Sequence, residues 1–580
     1  MRFPSLLGLT FVAACSASTP RPAPAPTPAA PKDDSVTHLA DEILHEWIEA
    51  HPTEAVLNGM EGAPDGGFAD NSTAALAAWQ AREDAWSARL ARIDGDALWG
   101  RPEWLTYGFV RDFLDGARAN RVCRMELWPV NQMSGWPAWL AELAQAQRVG
   151  TAELRAKALS RFRAVPRYID HEMANAREGL RLGYSTPREN VDLVIKQLDD
   201  ILKLPVEKSP FFSPAERDRE LAAPWTALLR DEIQPAIQRE LDFLKNEYRP
   251  RAREALGVAA NRDGAACYRA SFRVYTTIER DPDETYRLGE QTVQRNVSEA
   301  QALAQKVLGV TDLHAIVSRL NADPRNRFRS REEDLEFART TVERAKAGLS
   351  KAFATIPAAP VGVEPVAPFL EAAASDSYQP ASADGSRAGV YHINLGAYAA
   401  TLRSNAEITA FHEAYPGHHY QIALARETPG HHKIEALVAN SAFGEGWARY
   451  AEALSEEMGL YGSDLAKIQR RLWPARGMVA DPGLHLRGWT RQKTVAYLVE
   501  AGRFTPAQVD ALVNRMAAWP AQLTAYDTGG LEIFALRRKA ETALGLRFDL
   551  KKFHVALLEN GAVTLPMLRK IIDHWIESQR

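Results

Sequence analysis

His412 and Glu413 stand just ahead of His418 and His419, within Phe411-His412-Glu413-Ala414-Tyr415-Pro416-Gly417-His418-His419-Tyr420-Gln421. A second acidic motif follows at Gly444-Glu445-Gly446-Trp447-Ala448-Arg449-Tyr450-Ala451-Glu452. Zinc enzymes that cleave amides need two imidazoles and a carboxylate on the metal, and a separate carboxylate to activate water. The two segments supply that whole set. The expectation is a zinc-dependent peptidase holding one Zn2+.

The spacing is not the ordinary one. In H-E-x-x-H the two histidines sit four residues apart on one helix face. Here the fourth residue after His412 is Pro416, which cannot ligate and has no N–H for the carbonyl of His412. A kink or bulge at Pro416-Gly417 is therefore expected, bringing a later imidazole back to the metal. The candidates are His418 and His419. In an unbroken helix His419 would lie about 20° round from His412 but about 10 Å further along the axis. The bulge argument favours His418 as the ligand, with His419 behind it or facing substrate.

Glu413 is then the general base, close to the metal but not on it. Glu445 opens a helical run to Met458 and is the third ligand, and Glu452, two turns further, can accept a hydrogen bond from a ligating imidazole. Two stretches act as internal controls. His171-Glu172-Met173 has no histidine close downstream and reads as a solvated helix face. Pro429-Gly430-His431-His432 repeats the tetrad of 416–419 without a preceding His-Glu and reads as a surface loop.

The combination His-Glu-Ala-Tyr-Pro-Gly-His-His-x-Gln followed by Glu-Gly-Trp-Ala-x-Tyr-x-Glu resembles the DUF885 family of bacterial proteins. That family is similar in helical build and zinc motif to the gluzincin peptidases of the thimet oligopeptidase and angiotensin-converting enzyme type. Flanking segments share the resemblance: 389–395, Asp481-Pro482-Gly483-Leu484-His485 with Gly488-Trp489-Thr490, and the run from Pro520 to Trp575. It covers the chain from about residue 38 onward and implies a mostly helical, single-cleft zinc hydrolase of short peptides. A glycine before the second ligand histidine in the thimet type agrees with His418. Ala525-Tyr526-Asp527-Thr528-Gly529-Gly530 resembles a turn whose tyrosine donates to the developing oxyanion, which makes Tyr526 the second catalytic candidate. His485 and Tyr391 are weaker candidates for that task, and Arg537 is a candidate for a substrate carboxylate.

At 580 residues, 46% hydrophobic and 25% charged, the composition is that of an ordinary globular protein. A formal net charge of −4 gives no electrostatic footprint for nucleic acid. There is no Gly-x-Ser-x-Gly elbow, phosphate loop or dinucleotide fingerprint. Residues 1–14 read as a signal peptide ending in Val12-Ala13-Ala14-Cys15, which looks like a bacterial lipobox. Residues 15–37, a lipid-modified Cys15 and a Pro/Ala-rich tether, would anchor the protein to a membrane of the bacterial cell envelope. Cys123 and Cys267 can pair or remain two thiols.

Behind the motifs the pattern is helical. Apolar residues recur at three- and four-residue spacing over 41–50, 74–93, 152–181, 191–204, 214–248, 283–308 and 331–355. Residues 357–383 break it with Pro, Ala, Ser and Gly, and 390–395 alternates like an edge strand able to hold a substrate backbone. The expected fold is mainly α. Residues 38–580 form one large two-lobed helical domain around a deep cleft, with a short edge strand or small sheet beside the site. Two other activities fit the same sequence: a non-catalytic periplasmic peptide-binding lipoprotein, and an amidase acting on non-protein amides.

Overall fold

Each stretch of helical spacing becomes helix, and prolines decide where it is interrupted. The structure, a computed structural model, describes residues 35–366, 371, 375–381, 388–438 and 440–580. The expected signal segment, Cys15 and the tether up to residue 34 lie outside the described residues. Helix Pro282–Leu308 shows the logic at its simplest. Asp281 accepts from the Asp283 N–H at 2.7 Å, Pro282 fills the first position, and Asp283 and Glu284 sit in the first turn. The 152–181 stretch divides into Ala152–Phe162 and Val165–Leu182, with Pro166 opening the second piece.

Within 214–248 two turns widen to π-helix, Leu229–Ile233 and Leu244–Tyr248. Pro235 and Pro250 follow them, and each lacks the N–H that would bond the carbonyl four residues back, at Asp231 and Asn246. Residues 130–252 form a lobe with its own core, centred on Trp136, Phe162, Ile169, Trp225 and Ile237. A second core surrounds Phe411, Trp447, Tyr450 and Phe553, and a third lies among Leu320, Ile468, Trp473 and Val513. Cys123 and Cys267, whose pairing the sequence leaves open, form a disulfide across 144 residues of chain.

Three short strands make the sheet: β1 (Val361–Pro365), β2 (Ser377–Gln379) and β3 (Gly389–Ile393). Their order is β1-β3-β2, with β3 parallel to β1 and antiparallel to β2. The expected edge strand is therefore the central one. Its partners come from the Pro- and Gly-rich segment, where three and five residues are too few to register as strands. With both sides of β3 paired, no substrate backbone can add to it, and the edge facing the candidate site belongs to β2. Among the described residues no helix is long and apolar enough to cross a membrane.

Candidate metal centre

Four helices carry the motif residues: α1 (Arg403–Glu413), α2 (His418–Glu427), α3 (Ser441–Glu457) and α4 (Ala525–Leu544). The expected bulge between His412 and His418 is a complete break instead. Helix α1 stops at Glu413, Ala414 leaves helical geometry, the Tyr415–Pro416 peptide is cis, and α2 starts afresh at His418. Gly417 is required at this point. A Cβ there would lie 1.9 Å from the His412 carbonyl oxygen and 2.4 Å from that of Phe411. The Trp447 indole of α3 donates to the carbonyls of Pro416 (2.9 Å) and Gly417 (3.2 Å), which pins the break against the helix bearing Glu445.

The break turns the ring of His418 across that of His412, centroids 4.8 Å apart and nearly perpendicular. Glu445 Oε2 lies 3.3 Å from His412 Nε2 and 3.5 Å from His418 Nε2. Among the described residues this is the one group of three or more such side chains whose ligand atoms all lie within 4.8 Å of one another. Two observations fit a cation there. Glu445 Oε2 is buried with no hydrogen-bond partner, a costly state for a carboxylate oxygen unless something positive satisfies it. Ligands at about 2.0–2.1 Å from a tetrahedral ion stand about 3.3 Å from each other, close to the two separations observed. Burial alone would raise the Glu445 carboxyl, but the two facing histidines outweigh it and hold the group well below the usual carboxylate range.

The ring of His412 is fixed from behind. Its Nδ1 is 2.9 Å from Glu452 Oε1, and Arg449 donates to the same oxygen at 2.7 Å. Burial opposes ionisation of Glu452, yet the Arg449 charge and His412 bring it down to about 2. An ionised carboxylate only accepts, so Nδ1 carries a proton and Nε2 is the nitrogen turned to the site.

Glu413 stands beside this trio and outside it. The Tyr378 backbone N–H, on β2, donates to its carboxylate. Burial pushes Glu413 up to about 8, helped by the charges of Glu445 and Asp376 and opposed by His418. A carboxyl so poised gains or loses a proton near neutral pH, the property a general base and acid needs. Tyr526, in the first turn of α4 and not in a free turn, places its ring 6.3 Å from that of His412, and the two are nearly parallel. Burial and the charge of Glu445 raise its phenol above the ordinary value against Arg515 and Arg449, so it keeps its proton.

The other candidates are held elsewhere. His419 is fully buried, with Nδ1 2.8 Å from the Tyr378 hydroxyl and Nε2 3.0 Å from that of Tyr415. It ties α2 to the sheet and lies apart from the trio. Tyr391 donates to Asp376 at 2.8 Å, and His485 lies between the Val258 N–H and the Met516 carbonyl, so neither is placed for an oxyanion. Arg537 pairs with Glu457 and Glu541. Glu172 is 6% exposed, its charge adding to the burial that raises Glu240, so that pair is no solvated face. The second tetrad does lie in a loop between helices, with His431 on Glu435 and His432 on Asp41.

Several residues that build the site escaped the sequence reading. Arg449 lies four residues after Glu445, on the same face of α3, and that spacing could have found it. Asp527, 3.6 Å from Arg449, and Arg515, 3.2 Å from the Tyr526 hydroxyl, carry no local signal. The glycines do. A Cβ on Gly446 would lie 2.5 Å from the Gly529 backbone, and one on Gly529 would lie 1.7 Å from the Ala442 carbonyl oxygen. Helices α3 and α4 thus cross backbone to backbone, which sets Tyr526 and Asp527 against Glu445 and Arg449.

The family model described as "Bacterial protein of unknown function (DUF885)" matches residues 52–572. The structure is similar to one described as "the putative lipoprotein from Colwellia psychrerythraea", with a TM-score of 0.83 and 23% identity over 94% of this chain and 100% of that one. It is also similar to one described as "a putative lipoprotein of unknown function from Shewanella oneidensis", with a TM-score of 0.76 and 19% identity over 93% of this chain and 99% of that one. At these identities the likeness is one of fold. No curated protein matches the chain.

Proposed function

The chain belongs to the DUF885 family, and from that premise we propose that it is a zinc-dependent hydrolase cleaving peptide bonds of short peptides. The observation that carries the reading is Glu445 Oε2, buried without a partner and facing two imidazole nitrogens, with a separate carboxyl, Glu413, alongside. A binding protein has no need of that fourth group. His412, His418 and Glu445 would hold the zinc, which when bound polarises a carbonyl and acidifies water. That ligand and base set is of the gluzincin type, a likeness resting on these residues alone.

The chain's own residues supply the rest. Glu452 and Arg449 keep the His412 ring in the tautomer whose Nε2 is free to ligate. Glu413 takes a proton from the attacking water and returns it to the leaving amine. Tyr526 holds its proton and donates it as a hydrogen bond to the carbonyl oxygen as charge develops there. Chelator treatment followed by zinc should abolish and then restore cleavage of a mixed oligopeptide pool. Cleavage that survives chelation would contradict the reading.

The N-terminal motif supports a cell-envelope lipoprotein anchored through Cys15, as do two fold relatives described as lipoproteins. Replacing Cys15 by Ser should move the protein from the membrane to the soluble fraction. A wild-type protein found only in the soluble fraction would contradict the anchor.

A further inference from the structure

Resting on the hydrolase reading above, we propose that Arg515 receives a carboxylate of the substrate and that the enzyme cleaves within three residues of a free peptide C-terminus. Arg515 lies in the helix Pro506–Ala518, beside the start of α4. Its Nη2 donates to the buried Gln522 amide oxygen at 2.8 Å and to the Tyr526 hydroxyl at 3.2 Å. Its guanidinium carbon stands 5.5 Å from the centre of the Trp519 ring. Its Nε is buried and has no hydrogen-bond partner.

A neighbouring arginine of the centre is neutralised at once, Arg449 by Glu452 at 2.7 Å and by Asp527 at 3.6 Å. Arg515 is not. Among the described residues its hydrogen bonds go to neutral groups alone, and Glu445 reaches it only as a more distant charge. Neutral partners take both N–H groups of Nη2 and hold the guanidinium in place without using up its charge, which leaves Nη1 to meet a carboxylate oxygen.

Distance limits where that carboxylate sits in a substrate. An oxygen bonded to Arg515 Nη1 at about 3 Å lies within about 8–9 Å of the Tyr526 hydroxyl, beside which the scissile carbonyl oxygen is proposed to stand. Extended chain covers about 3.3–3.6 Å per residue. The carboxylate therefore belongs to one of the first three residues after the cut bond. It comes from the C-terminal α-carboxylate or from an Asp or Glu side chain at that place, and the terminal group is the source proposed.

The test uses binding, so that it does not depend on turnover. Acetyl-Ala-Ala-Ala, its C-terminal amide, and acetyl-Ala-Ala-Asp amide are titrated calorimetrically into zinc-loaded Glu413→Gln protein, alone and combined with Arg515→Gln or Arg515→Lys. The free acid should bind about tenfold to a hundredfold more tightly than the amide, the range of one charge-assisted contact. Arg515→Gln should bring that ratio close to one, and Arg515→Lys should keep part of it. An Arg515 that merely positions Tyr526 would leave the ratio unchanged, which overturns the proposal. Tighter binding of the Asp amide than of the free acid overturns the terminal assignment. A variant that has lost its fold is recognised by its circular dichroism, and Arg515→Lys then decides. Wild-type cleavage is assayed separately on the same peptides. Cleavage with equal binding of acid and amide leaves the hydrolase and removes this inference. Unequal binding without any cleavage does the reverse.

Discussion

The tetrad Pro-Gly-His-His occurs twice, at 416–419 and at 429–432, thirteen residues apart, and the two copies share nothing but their letters. In the first, Gly417 is demanded by contact, since a Cβ would run into the His412 carbonyl. In the second, Gly430 is demanded by conformation, with φ +95° and nothing within 4 Å of a Cβ. His418 is 7% exposed and turned towards Glu445, and His419 is sealed inside. His431 and His432 are half-buried and answer to Glu435 and Asp41. A histidine's chemistry is set by what the fold brings opposite it, here a carboxylate of α3, against which Trp447 pins the helix break.

The comparison can be broken most strongly at the ligands. His412→Ala, His418→Ala or Glu445→Gln should lose stoichiometric zinc and all cleavage, while His431→Ala and His432→Ala keep both, as read by elemental analysis and peptide assay. A zinc site lost in either loop variant would erase the distinction. Next come the glycines. Gly417→Ala should destabilise the protein by about 3 kcal/mol or more, since backbone must move. Gly430→Ala should cost about 1–2 kcal/mol, the strain of a left-handed residue. Denaturant midpoints compare the two, and equal losses would contradict the contact argument.

A smaller effect belongs to the shell behind the metal. Glu452→Gln should weaken zinc about 10- to 100-fold by loosening His412, measurable by competition with a chelator. Glu435→Gln, its counterpart in the second tetrad, should leave zinc affinity alone. The smallest effect is in pH dependence. Burial depresses His419 from 6.5 to about 4, so the unfolded chain binds its proton first and stability is lost as pH falls from 6.5 towards 4. His431 has the opposite sign. Glu435 raises it, so its contribution is complete below 6.5 and fades as pH rises through the folded value. His419→Gln should flatten the acid limb of the stability profile, and His431→Gln the neutral one. Identical profiles would show that the two environments do not differ as described.

What the sequence made legible was whatever is local. The helices follow from spacing, the Pro282–Leu308 start from its cap and acids, and the Glu452 hydrogen bond from its place two turns after Glu445. The structure turns His418 and not His419 towards Glu445, through a helix break where a kink or bulge was expected, because the contact that forces the break lies between Gly417 and the carbonyls of Phe411 and His412. What failed was non-local. The alternation of 390–395 marks a strand but cannot say that β1 and β2 flank it. The backbone crossing at Gly446 and Gly529 joins segments far apart in the chain, and the placement of Arg515 on Tyr526 crosses from one helix to the next; neither leaves a periodic trace.

The central claim is that the trio His412, His418 and Glu445 holds zinc while Glu413 works beside it. Zinc content and oligopeptide cleavage, measured side by side on wild type and Glu413→Gln, test it most directly. The expected result is one zinc per chain in both proteins, with cleavage reduced about 10²- to 10⁴-fold in the variant, the range of a lost general base. Absence of zinc from the wild type, or cleavage indifferent to Glu413, would contradict it.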